Sequence, residues 1–168
     1  SLYNKSRLGC INFHPAILPD WRGLGGCNIA ILEKREVWGA TAHYVNENID
    51  TGKILGVFDF PFDYLTETAF TLKNKTETVM CELYRDIISE ILLNGKVSRR
   101  LIVNEGGNYL SKNQMLNLMR IDPLIDDVDL KVRAFWFPPH SGAYLEINGI
   151  KYTLVNDKIL SQIAHIKD

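Results

Sequence analysis

The hydrophobic positions of this chain fall into patterned stretches separated by turn-rich polar segments. Leu8 to Phe13 (LGCINF) is a short apolar run ending at His14-Pro15, and a proline pushes its predecessor out of the helical region. A buried strand with a site at its C-terminal end is predicted. After the turn-forming stretch Pro19-Asp20-Trp21-Arg22-Gly23 and the pair Gly25-Gly26, Asn28 to Lys34 carries Ile29, Ile31 and Leu32, which suits a short helix. Val37 to Val45 (VWGATAHYV) and Lys53 to Phe60 (KILGVFDF) are rich in strand formers and flank the polar turn Asn46 to Gly52, predicting two strands. From Thr68 to Leu93, Leu72, Val79, Leu83, Ile87, Ile88, Ile91 and Leu92 recur mostly at spacings of three and four. Gly95 follows as a stop, so this is the longest predicted helix.

Beyond it the chain turns polar and glycine-bearing from Lys96 to Gly107, and a boundary is placed there, giving segments 1–95 and 96–168. Ser111 caps a predicted helix to Met119, which Asp122-Pro123 terminates. Ala143 to Ile147 and Lys151 to Val155 alternate on either side of Asn148-Gly149, a dipeptide that favours a tight hairpin.

Composition narrows the function classes. At 168 residues with 46% hydrophobic and 23% charged positions, the chain has ordinary globular proportions, and no apolar run approaches the roughly 20 residues that span a bilayer. Nineteen Lys and Arg against 20 Asp and Glu leave a net charge of -1, so no global basic field holds a nucleic acid backbone. Cys10, Cys27 and Cys81 form an odd set without CxxC spacing, which argues for a reducing compartment and a cytoplasmic location. The chain starts at Ser1 with no charged-then-apolar leader.

Two residues stand out for chemistry. Side chains at i and i+2 on a strand share a face, so Asn12 and His14 project into one site. An isolated Asn-x-His is more readily a mutually hydrogen-bonded structural pair. The polar turn Asn46-Glu47-Asn48-Ile49-Asp50-Thr51-Gly52 changes that weighting, because a carboxylate beside an imidazole raises its pKa and fixes its tautomer, as a general base requires. His14, His43, Asp20 and Asp50 include ligand types for zinc or iron, but their spacing matches no familiar metal motif, and no metal is expected.

The segments INFHPAILPDWRG and GATAHYVNENIDTGKI resemble the formyltransferases that use N10-formyltetrahydrofolate. The resemblance implies that Asn12, His14 and Asp50 form the catalytic set, with Leu18-Pro19 and Arg22-Gly23 matching further family elements and His43 in a supporting role. It implies that Val45, Asn46, Glu47 and Ile49 line the pocket of the folate. Formyl transfer is attack by an amine on the formyl carbon through a tetrahedral oxyanion, with proton removal from the amine. Asn12 is then the oxyanion donor, His14 the base or proton shuttle and Asp50 the group that orients His14.

The run Arg133-Ala-Phe-Trp-Phe-Pro-Pro-His-Ser-Gly-Ala-Tyr144 resembles a stretch found in methionyl-tRNA and sugar N-formyltransferases but not typical of glycinamide ribonucleotide formyltransferases. Too few residues follow Tyr144 to build the basic domain of the tRNA enzymes, so a nucleotide-linked amino sugar is the expected substrate, its base stacking on Tyr109 or Trp136. The implied fold is α/β: a partial Rossmann-like formyltransferase core lacking its N-terminal strands, then a small helical and β-hairpin region. With little sequence before Asn12, the first strand is expected to expose apolar surface and drive self-association, as a homodimer, and the chain alone is expected to be weakly active or inactive. The rival readings are a tRNA or glycinamide ribonucleotide formyltransferase, a non-catalytic folate-binding module, and a metal-dependent hydrolase.

Overall fold

The computed structural model describes residues 5–164. Its central sheet has the order β1-β3-β4, built from β1 (Ile11–His14), β3 (Val37–Tyr44) and β4 (Ile54–Pro61), all neighbours antiparallel. β2 (Trp21–Gly23) pairs in parallel with β5 (Asn108–Leu110), and β6 (Tyr144–Ile147) with β7 (Ile150–Thr153) as an antiparallel hairpin. The helices are α1 (Gly26–Leu32), α2 (Ala69–Asn94), α3 (Lys112–Leu118), α4 (Val128–Phe135) and α5 (Asp157–Ala164). The fold is mixed α/β, as the resemblance implied.

Most predicted elements form, with shifted ends. The first strand runs over Ile11–His14 instead of Leu8–Phe13, because Gly9 adopts a left-handed φ of 82° and breaks the extended run. It is also an edge strand, half-buried up to His14 with Leu8 exposed, and not the buried strand its apolar content suggested. α2 begins at a reciprocal cap in which the Thr71 N–H donates to Thr68 Oγ1 and the Thr68 N–H to Thr71 Oγ1, and it stops at Gly95. The hairpin turns at Asn148 and Gly149, both with positive φ, the pair of conformations a two-residue turn needs.

Helices α4 and α5 were not anticipated. Asp127 accepts from the Leu130 N–H and Asn156 from the Ile159 N–H, so both have ordinary N-caps, but each spans only about two turns and offers little periodicity to read. Arg133 of α4 is buried, pairs with Asp129 and donates to the carbonyls of Tyr64 and Glu67, tying α4 to the loop before α2.

One core holds these layers together. It draws Ala16, Cys27, Ile31, Trp38 and Leu72 together with Met119, Leu130, Phe135, Ala143 and Ile159, so it takes residues from both sides of position 95. Burying an aliphatic or aromatic side chain of this size contributes about 1.5–3 kcal/mol each. A second cluster, Ala42, Leu55, Leu83 and Ile87, fixes α2 to the central sheet.

Between residues 96 and 110 the chain is more than a connector. Ile102 exchanges both backbone hydrogen bonds with Ile54, Asn108 N–H donates to Asp20 O, and Arg22 donates to Gly107 O. A Cβ on Gly107 would stand 1.6 Å from Pro19 O, so only glycine permits this approach. The segment therefore straps the loop after β1 to the start of β4.

Candidate active site

The site forms where the C-terminal half of β1 meets β3 and the turn that follows it. Asn12 and His43 are directly opposed across the antiparallel β1–β3 pair, which puts them on one face, and His14 shares that face two residues further along. The β3–β4 pairing is irregular between Ala42 and His43, a bulge of the kind that re-aims side chains beside sites. The turn between β3 and β4 then returns Asp50 to the same place. Asn46 Oδ1 organises that turn by accepting from the Asn48 N–H and the Thr51 hydroxyl, while Asp50 takes a left-handed φ of 52°, a conformation Asp tolerates better than most residues. Gly52 is obligatory, because a Cβ there would lie 1.6 Å from Tyr44 O.

Asp50 is the centre of the resulting cluster. Its Oδ2 accepts from the Gly23 N–H at 3.0 Å and lies 3.5 Å from His14 Nδ1. Its Oδ1 lies 3.4 Å from Asn12 Nδ2 and 3.5 Å from His43 Nε2. His43 donates through Nδ1 to Tyr44 O at 2.9 Å, which leaves Nε2 to accept from Asn12 Nδ2 at 3.1 Å. His14 donates through Nε2 to Trp21 O at 2.9 Å, so its Nδ1 faces the carboxylate. Two backbone groups of β2, the Trp21 carbonyl and the Gly23 N–H, thus hold the His14–Asp50 pair in register.

Burial dominates the electrostatics. It pulls His14 below the ordinary imidazole value, against the raising influence of the Trp21 carbonyl and the Asp50 carboxylate. Burial pushes Asp50 upward, but the His43 ring, the Gly23 N–H and the field of both imidazoles outweigh it, and the carboxyl lies below its usual range. The pair is therefore a neutral imidazole beside an ionised carboxylate at neutral pH, the protonation state a general base needs.

A cavity of about 280 Å³ opens on one side of this cluster, lined by Asn12, His43, Val45, Asn46, Glu47, Asn48, Ile49 and Asp50. The residues singled out in the turn, Val45, Asn46, Glu47 and Ile49, stand together here. Polar amides and carboxylates alternating with the apolar Val45 and Ile49 fit a flat heterocycle with a hydrogen-bonding edge.

A second, more apolar cavity of about 320 Å³ lies between α1, α2, α3 and the loop after α4. Its walls include Pro15, which follows His14, Leu24, which follows Gly23, and Lys73, Phe135, Phe137 and His140. Phe137 and His140 stack at 5.7 Å with their planes 26° apart, and Lys73 Nζ stands 5.6 Å from the Phe137 ring centre. Tyr109 and Trp136 do not line either cavity: Tyr109 is half-exposed on β5, and Trp136 packs against the main core. Within the aromatic run the rings that line this cavity are Phe135 and Phe137, on either side of Trp136. Among the described residues no group of three or more His, Cys, Asp or Glu is arranged to hold a metal ion, and no helix is long and apolar enough to cross a membrane.

Comparison with known proteins places the chain among relatives of one family. Residues 1–88 match the formyl transferase family. A methionyl-tRNA formyltransferase of Novosphingobium aromaticivorans is 30% identical over 162 residues, covering 95% of this chain and 51% of the relative. A 4-N formyltransferase from Francisella tularensis superposes with a TM-score of 0.76 at 28% identity, over 88% of this chain and 61% of its own. A sugar 3N-formyltransferase solved in the presence of dTDP and 5-N-formyl-tetrahydrofolate gives 0.70 at 25% identity, over 88% and 54% respectively. The chain thus spans about half the length of the curated relatives it matches.

Proposed function

The chain belongs to the formyl transferase family, and from that premise we propose that it transfers a formyl group from N10-formyltetrahydrofolate to the amine of a nucleotide-linked amino sugar. The observation that carries the reading is the convergence of Asn12, His14 and His43 on Asp50 at the mouth of the cavity walled by residues 45–50. The folate, bound in that cavity, supplies the activated formyl carbon. His14, neutral and hydrogen-bonded to Trp21 O, would take the proton of the attacking amine through Nδ1, with Asp50 stabilising the imidazolium that results, and would return that proton to N10 as the bond from N10 to the formyl carbon breaks and tetrahydrofolate leaves. Asn12 donates through its side-chain amide to the oxygen on which charge develops, exchanging one of the bonds Nδ2 makes to His43 and Asp50. His43 holds the Asn12 amide until then.

The acceptor is proposed to lie in the second cavity, which begins at the residues after His14 and Gly23. Its nucleotide base would rest on the Phe137–His140 pair, not on Tyr109 or Trp136, with Lys73 as the cation for its phosphates. The structural relatives whose names give a sugar acceptor support this reading, as does the absence of an excess positive charge. A second reading, methionyl-tRNA as acceptor, is favoured by the sequence relatives. The proposed partners are accordingly the nucleotide sugar and a second copy of the chain, without nucleic acid.

An acceptor panel tests the proposal. With N10-formyltetrahydrofolate as donor, nucleotide-linked 3-amino and 4-amino sugars, methionyl-tRNA and glycinamide ribonucleotide are offered to this chain and to a version extended at its N-terminus. Formylation of an amino sugar alone is the expected result. Formylation of methionyl-tRNA alone transfers the site to the second reading, and formylation of no acceptor by either version rejects both.

A further inference from the structure

The geometry of Asp50 depends on a residue that lies 54 positions away. Asn104 sits in the strap between α2 and α3, and its side chain reaches the turn that presents Asp50. Its Nδ2 donates to Asp50 O at 3.0 Å and to Gly52 O at 2.8 Å, so one amide nitrogen spends both protons on the two carbonyls that bracket Thr51. Asn104 is only 7% exposed, and its Oδ1 is buried without a hydrogen-bond partner among the described residues. An apolar residue of the same size would pack without that unmet acceptor, so packing does not account for an amide here; its two donors do.

The strap also fixes where Asn104 stands. Ile102 is bonded to Ile54 on one side, and the close approach of Gly107 to Pro19 holds the other. The turn it grips needs restraint, because Asp50 is held in the left-handed region while its carboxylate faces His14, His43, Asn12 and the Gly23 N–H at once. A small rotation of that turn would swing the carboxylate away from His14 Nδ1.

We propose that Asn104 is a positioning residue of the site: its carboxamide clamps the Asp50–Gly52 turn and so sets the Asp50 carboxylate against His14. Asn104 touches neither imidazole and takes no part in proton transfer. The clamp deepens the formyl-transfer reading, yet it is measurable without turnover.

The test is the titration of His14 followed by NMR in histidine-labelled protein, comparing the unaltered chain with Asp50→Asn, Asn104→Leu and Asn104→Ala. Asn104→Leu keeps the number and branching of the side-chain heavy atoms and removes both donors together with the unmet oxygen, and His140, in the other cavity, serves as an internal control for folding. The titratable groups that face His14 are Asp50, which raises its midpoint, and His43, which lowers it. Asp50→Asn is expected to lower the His14 midpoint, and both Asn104 variants to lower it by a comparable amount with His140 unmoved. The clamp is overturned if Asp50→Asn moves the midpoint while neither Asn104 variant does. If Asp50→Asn also leaves it in place, the clamp falls together with the pairing of Asp50 and His14 on which the formyl-transfer reading rests.

Discussion

His14 enters the folded protein at a cost in its charged form, because burial there outweighs the carbonyl and carboxylate beside it. Its folded pKa lies below the unfolded value, so the unfolded chain binds the proton first. Stability contributed by neutral His14 is present above about pH 6.5 and is lost as pH falls below it. Asp50, also lowered, acts in the same direction, with its share lost on acidification below the ordinary carboxyl value of 3.8. Urea unfolding at pH 7 and pH 5 should therefore show a drop in stability that is smaller in His14→Asn, and an equal drop in both proteins would remove this account of His14. Asn12→Ala is expected to lower kcat of the active protein by about a hundredfold to a thousandfold with the fold intact, the usual loss for one oxyanion donor. The strand period put Asn12 and His14 on one face, but read alone that pair favoured a structural role, and with Glu47 also in the turn it was the resemblance that singled out Asn12, His14 and Asp50 together. Asn104 and the two backbone groups of β2 were not legible, since no local pattern announces a contact made 54 residues away or through a main-chain atom.

At the level of elements, the site is held by caps and close approaches more than by long helices. Thr68→Ala removes the reciprocal cap of α2 and should cost about 1 kcal/mol in denaturant unfolding while leaving the His14 titration unchanged. Gly107→Ala should cost more, about 2–4 kcal/mol, because an alanine there adopts an unfavourable left-handed φ and overlaps Pro19 O. A melting temperature for Gly107→Ala within a degree of the parent would contradict the strap. The long helix, the β3–β4 pair and the NG hairpin were readable from periodicity and turn chemistry. Helices α4 and α5 escaped because two turns carry too few apolar positions for a period, and the strap escaped because its glycines read as a linker when Gly107 in fact permits contact with residues 19–20.

The molecule as a whole presents its C-terminal hairpin outward: β7 is exposed along its length, and Ile147, Ile150 and Tyr152 are each about half-exposed. A two-stranded ribbon with apolar residues facing water is marginal alone and favours association. Light scattering over a tenfold range of concentration should give twice the 19.2 kDa chain mass, and a monomer at every concentration would withdraw the second copy from the proposed partners. The proposed function divides the substrates between two cavities, the donor in the one walled by residues 45–50 beside Asp50 and the acceptor in the one that begins at Pro15 and Leu24. The most direct test of that account is formyl transfer from N10-formyltetrahydrofolate to the preferred amino sugar by the active protein and by its His14→Asn variant, with folate binding measured in parallel. The account predicts that the variant binds folate as before and loses turnover by at least about a hundredfold; a variant that formylates at the parent rate would contradict it.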